Sequence, residues 1–192
     1  MLTTLLVGLL MAPDILTREQ WGAKPVLAGA RFHEIQFITI HHTGVVQNPM
    51  RTLEDKLKGL QAFSQRVDKL ADGRTKPAWP DIPYHYYISV DGRIGEGRPW
   101  NLVGDTNTAY DPAGHLLVVV EGEFDREVPS EAQLKSLDRI VLWAAQHWSV
   151  PARRIRTHQD YARTDCPGKA LQSRMSDLRN LVRIADFSTI DE

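Results

Sequence analysis

The 192-residue chain has a single cysteine, no polybasic run and no apolar stretch long enough to cross a membrane, and each shortage removes a class of protein. One cysteine cannot form an internal disulfide, so a disulfide framework is excluded; the thiol is a buried apolar residue, a reactive nucleophile or one ligand of a mixed metal site. The 23 Lys+Arg stand against 24 Asp+Glu, a formal net charge of −1. Without clustered positive charge, neither nucleic acid nor anionic lipid is an expected partner. The longest apolar run, LTTLLVGLLM at residues 2–11, falls well short of the ~20 residues a membrane-spanning helix needs. No Lys or Arg precedes it, so as a signal peptide it is degenerate or truncated, and the alternative is a packed N-terminal segment. Repeats, low-complexity tracts and Gly/Ser/Pro-rich linkers are also missing, which leaves one domain over residues 15–184 between the apolar segment 1–14 and a tail at 185–192.

What is present reads as alternating strands and helices. Residues 36–42 (QFITIHH) are short, apolar and β-branched, as a buried strand requires. Leu53, Leu57, Leu60, Phe63, Val67 and Leu70 recur at three- and four-residue spacing, which predicts an amphipathic helix over residues 50–71. A polar, proline-containing loop is expected at 72–80. Residues 84–90 and 93–96 flank Asp91-Gly92, a pair that supplies the positive φ angles of a tight two-residue turn, so a hairpin is predicted. Residues 116–120 read as another apolar strand. Ser130 and Gln133 stand at capping-box spacing. Leu134, Leu137, Val141, Ala144 and Trp148 lay an apolar stripe along the helix that follows, with Pro151 beyond its end. Leu171, Met175, Leu178 and Val182 mark a final helix. Central strands with helices on either side imply an α/β (α+β) fold, a mixed β-sheet flanked by helices.

Three places combine groups able to hold a metal or move a proton. His41-His42-Thr43 ends the first long strand; alternation puts His41 on the face of Phe37 and Thr39, while His42 continues the aliphatic row of Ile38 and Ile40. Both could equally be strand-end histidines with satisfied hydrogen bonds. His158 and Cys166 share a polar loop, HQDYARTDC, in which a structural thiol would be out of place. Thiolate and imidazole are ligands zinc prefers, and two from one loop plus one from a distant strand leave a fourth position open, the catalytic arrangement. Pro83-Tyr84-His85-Tyr86-Tyr87 starts a strand, and alternation does not say which ring faces a site.

In order along the chain, Trp21-Gly22-Ala23, Ile40-His41-His42-Thr43, Ile82-Pro83-Tyr84-His85-Tyr86, the Asp91-Gly92-Arg93 segment running through Gly97-Arg98, Trp100-Asn101 and Val103-Gly104, Pro129-Ser130-Glu131-Ala132-Gln133-Leu134, and His158-x-Asp160-x5-Cys166-Pro167-Gly168 resemble the zinc-dependent N-acetylmuramoyl-L-alanine amidases of the type-2 amidase and peptidoglycan-recognition-protein family. The resemblance implies a central mixed sheet with zinc at the base of a groove that takes the peptide stem of peptidoglycan or muropeptides. It implies His41, His158 and Cys166 as zinc ligands, Tyr84 and Thr164 as catalytic residues, and His42, Trp100 and Asn101 as substrate-binding residues. It further implies hydrolysis of the amide between N-acetylmuramic acid and L-alanine, by a monomer that is periplasmic or secreted. Tyr84 would orient water or donate to the oxyanion and Thr164 would add a second donor. A threonine cannot serve as general acid as a lysine could, which leaves Tyr84 or water to protonate the leaving amine.

Two segments depart from the pattern: residues 105–111 lack the Ala-His-Thr that relatives often carry, and Glu121-Gly122-Glu123-Phe124 stands where they often have Gly-Asn-Phe. Both would flank the groove, and the loop 72–80 would reshape one wall. Two rival readings are a non-catalytic peptidoglycan receptor and a metal-free cysteine hydrolase with Cys166 as nucleophile and His41 or His158 as base.

Overall fold

The computed structural model describes residues 11–70 and 73–187. The apolar segment at 2–11, apart from Met11, and the tail from residue 188 lie outside the described residues, so neither reading of those ends bears on the fold. A six-stranded mixed sheet runs in the order β1 (Ile15–Leu16), β6 (Ile94–Glu96), β5 (Tyr86–Ile88), β7 (His115–Val120), β2 (Phe37–His42) and β8 (Ile155–Thr157). All pairings are parallel except β5 with β6. The central strand β7 is buried along its whole length, as its unbroken HLLVVV demands of a strand covered on both faces.

Ile38, Ile40, Leu116, Val118 and Val120 face the larger core, which α3 (Glu131–His147) and α5 (Met175–Phe187) close with Leu137, Ile140, Val141, Leu178 and Val182. On the opposite face, Tyr87 and Val119 pack with Trp21 of α1 (Arg18–Trp21) and with Leu53 and Leu57 of α2 (Leu53–Ser64). Thr39 and His41 share that second face. The mixed sheet flanked by helices is the expected fold.

Three local expectations are corrected. The helix expected at 50–71 ends at Ser64. Lys76 is the reason: it is fully buried, and its Nζ donates to the carbonyls of Ser64, Arg66 and Pro77 at 2.9, 2.7 and 2.7 Å. That ammonium, set over the rings of Phe63 and Trp79, takes the helix-end carbonyls and diverts the chain into a small hairpin, β3 (Asp68–Lys69) and β4 (Thr75–Lys76), which falls partly in the expected loop.

The hairpin turn is wider than two residues. Only Gly92 has positive φ, +83°; Gly92 N–H donates to Ser89 O at 2.8 Å and Ser89 N–H to Arg93 O at 3.0 Å. Asp91 stays in the ordinary region because its carboxylate accepts from Arg93 N–H at 3.1 Å. A Cβ on residue 92 would lie 2.8 Å from the Ala132 carbonyl oxygen, so glycine also lets the turn sit against the start of α3. The last helix is broken at Ser173-Arg174 into α4 (Lys169–Gln172) and α5, and Ser173 Oγ donates to Ala170 O at 2.8 Å. By contrast, Ser130 and Gln133 form the expected capping box of α3.

Candidate metal centre and cleft

Parallel pairing brings the site together. β2 and β8 run side by side with Ile40 opposite Thr157, so the next residue on each strand, His41 and His158, leaves the sheet at the same level. Ligand sites gather at such carboxyl ends of parallel strands. The loop after His158 returns Cys166 to the end of β2: Gln159 N–H donates to Cys166 O at 3.0 Å, and His42 N–H donates to Cys166 Sγ at 3.3 Å.

One donor atom from each of His41, His158 and Cys166 lies within 4.8 Å of the others, and all three residues are buried. Cys166 Sγ is 3.6 Å from His41 Nδ1. Donors at zinc's usual ~2.0 Å to nitrogen and ~2.3 Å to sulfur are about 3.5 Å apart in tetrahedral geometry. Burial lowers the pKa of His41 well below its ordinary value, with the proximity of the His158 ring adding to the shift, and pushes His158 down to about 4. Both imidazoles are therefore neutral at physiological pH, the form that ligates. The Cys166 thiol, pushed up to about 12 by burial, releases its proton only to a cation that replaces it. Two neutral imidazoles and a buried thiol at this spacing fit zinc.

The centre lies at the base of a cleft of about 770 Å³. Val45 and Val46 after β2, Lys56 and Leu60 of α2, and Lys69 and Arg74 of the small hairpin line its walls. Tyr84 reaches in from the residues before β5, its ring 5.2 Å from that of His41. Burial raises its pKa, with Cys166 contributing, so the phenol remains a donor. Thr164 Oγ1 accepts Cys166 N–H at 3.2 Å, which leaves its own proton free to be donated.

Six of the expected residues, His41, His42, Tyr84, His158, Thr164 and Cys166, line this one cleft. Trp100 and Asn101 do not. The Trp100 ring packs 5.6 Å from Trp148, and its carbonyl accepts from His33 Nε2 at 2.8 Å; the Asn101 carbonyl accepts from His33 N–H at 3.0 Å. Two further pairs belong to the wall. Lys56 Nζ lies 2.7 Å from Glu121 Oε2, both side chains being nearly inaccessible. Thr106 and Thr108 reach the His158 ring. Both pairs draw on the segments at 105–111 and 121–124 where the sequence departs from the amidase pattern, and that departure was the only signal for them.

Among the described residues, no helix is long and apolar enough to cross a membrane. A family model described as N-acetylmuramoyl-L-alanine amidase matches residues 31–169. The human protein of that name is 29% identical over 163 residues, covering 83% of this chain and 27% of its own length. The pig protein is 30% identical with 83% and 26% covered, so the chain spans about a quarter of these relatives. Mouse peptidoglycan recognition protein 1 is 26% identical, with 82% of this chain and 83% of that protein covered. The structure of Drosophila peptidoglycan recognition protein SD superposes with a TM-score of 0.72 at 23% identity, covering 86% and 94%. That of the amidase LysC from Clostridium intestinale superposes at 0.69 and 22%, covering 90% and 99%. At these identities the two structures speak for the fold.

Proposed function

Because the chain belongs to the N-acetylmuramoyl-L-alanine amidase family, we propose that it hydrolyses the amide between N-acetylmuramic acid and L-alanine in peptidoglycan or muropeptides, with zinc held by His41, His158 and Cys166. The observation that carries this reading is the convergence of those three donors at the floor of a cleft that also holds Tyr84. Zinc bound at such a site lowers the pKa of water to about 7 and polarises a carbonyl.

The chain's own residues do the rest. Tyr84, a phenol kept protonated by burial, donates a hydrogen bond to the oxyanion that forms as water adds to the amide carbonyl. Thr164, its oxygen already engaged by Cys166 N–H, supplies a second donor. Preorganised donors of this kind contribute about 3 to 4 kcal/mol each to the transition state. An aliphatic hydroxyl such as that of Thr164 is too weak an acid to protonate the leaving amine, which leaves Tyr84 or water to deliver that proton. All ligands and Tyr84 come from one chain, which supports a monomer, and the substrate's place outside the cytoplasmic membrane supports a periplasmic or secreted enzyme.

A cysteine-nucleophile mechanism is disfavoured by the raised Cys166 thiol, since a nucleophilic cysteine needs a depressed pKa. A receptor without activity has no need of the complete ligand set. The test is metal analysis of the purified protein together with mass-spectrometric identification of products from digested peptidoglycan. Cys166→Ser and His41→Ala should each abolish bound zinc and hydrolysis together. Full amidase activity in Cys166→Ser would refute the scheme.

A further inference from the structure

The amidase reading needs His158 to offer one particular ring nitrogen to the metal, and the connection between β6 and β7 carries a pair of hydroxyls that select it. His158 Nε2 lies 2.8 Å from Thr108 Oγ1 and 3.3 Å from Thr106 Oγ1. The two hydroxyl oxygens are 2.7 Å apart, and Thr106 Oγ1 also accepts Thr108 N–H at 3.2 Å. A neutral imidazole carries one proton, and the nitrogen that ligates is the one without it; a partner for the N–H therefore decides which nitrogen is available. If Nε2–H donates to Thr108 Oγ1, the Thr108 proton passes to Thr106 Oγ1 and the Nδ1 lone pair is left bare. In the reverse sense, with Thr108 O–H donating to Nε2, the ring proton sits on Nδ1 and that nitrogen is closed to a cation. Both hydroxyl oxygens lie within reach of Nε2, so a ring N–H there has two acceptors, whereas a bare Nε2 lone pair would take only one of the two hydroxyl protons, and this favours the first sense. The His158 ring is further confined by His41 at 4.7 Å and Tyr110 at 5.4 Å between ring centres.

We propose that Thr108, backed by Thr106, is a positioning residue that holds His158 as the Nε2–H tautomer and so readies Nδ1 for a divalent metal ion. This rests on the amidase reading only for the identity of the metal. Metal-free protein is examined first, by nitrogen-detected NMR of the His158 ring. The wild type and Thr108→Ser should show the proton on Nε2, and Thr108→Val a mixture of tautomers. Zinc affinity, measured by chelator competition, should fall about 10- to 100-fold in Thr108→Val, less in Thr106→Val, and stay near wild type in Thr108→Ser. The Co²⁺ absorption spectrum should change in Thr108→Val alone.

Thr108 is only partly buried and valine matches its shape, so metal-free thermal melting should be unchanged in all three variants. Wild-type zinc affinity in Thr108→Val would overturn the proposal, as would a proton on Nδ1 in the wild type or equal losses in Thr108→Val and Thr108→Ser. A wild type that binds no zinc would refute the amidase reading instead, and the tautomer measurement on the metal-free protein would still decide the role of Thr108.

Discussion

Tyr84 shows how one partly buried group would carry a step. Its phenol is held protonated by burial beside Cys166, and in the proposed amidase mechanism it acts as a donor to the oxyanion while its ring packs 5.2 Å from that of His41. Tyr84→Phe should thus keep stoichiometric zinc while kcat falls about 10²- to 10³-fold, the loss expected for one oxyanion donor; loss of zinc along with activity would assign it a structural role. Lys56 and Glu121 are a different case. Their 2.7 Å ion pair is almost wholly buried, and Glu121 also accepts backbone N–H groups of Asn48 and Val90, each at 3.0 Å. Lys56→Met strands a carboxylate and should cost about 3 to 5 kcal/mol in urea unfolding, whereas Lys56→Met with Glu121→Gln should cost clearly less, because the burial penalty of both charges goes with them. The three candidate ligands were legible through the ordered motifs that resemble the amidase family, and alternation on β2 added only that His41 and His42 face opposite sides of the sheet. The wall was not: Thr106, Thr108 and Lys56 are of kinds found on any surface, and only the folded chain brings them to His158 and Glu121.

Elements were legible where their ends are governed locally. Ser130 Oγ accepts Gln133 N–H at 3.1 Å, and the Gln133 side chain accepts Ser130 N–H at 3.0 Å, so the start of α3 lies within four consecutive residues. Ser130 Oγ also donates to Val90 O at 2.7 Å, tying the helix to the hairpin turn. Ser130→Ala should therefore cost about 1 to 2 kcal/mol, seen as a Tm drop of several degrees; an unchanged Tm would mean that water replaces both bonds. The end of α2 was not legible, since the lysine that takes its carbonyls stands twelve positions beyond Ser64 and on another element. Close approach is equally hidden from sequence. A Cβ on Gly97 would collide with the Tyr84 carbonyl oxygen, so Gly97→Ala should displace the segment that delivers Tyr84. Activity should drop further than zinc content, and a variant with full turnover would show that β6 yields without moving Tyr84.

At the scale of the molecule, the layered class followed from strand and helix patterns, but the order that sets β2 between β7 and β8 did not, because parallel pairing joins segments far apart in sequence and leaves no turn between them. The net charge of −1 likewise hides a local imbalance, with Arg51, Lys56, Lys69 and Arg74 lining the cleft against Asp105 and Glu121. That same burial of polar groups makes the fold sensitive to acid. His85 Nδ1 accepts Leu117 N–H at 2.8 Å while its Nε2–H donates to Leu102 O at 2.9 Å, which requires a neutral ring. Burial pushes His85 down to about 3 and His115 to about 4, whereas both titrate near 6.5 in an unfolded chain. Between those values the unfolded state takes up protons that the folded state refuses. Their stabilising effect is therefore complete above pH ~6.5 and is lost as pH falls toward 4 and then 3, by ~1.4 kcal/mol per pH unit for each group. Urea midpoints of the metal-free protein should be level from pH 8 to 7 and fall steadily from 6 to 4.5, while the ring resonances of His85 and His115 keep their neutral positions over the whole range. A folded-state titration of His85 near pH 6.5 would show instead that the sheet opens around it and that this ring does not link β7 to the loop before it.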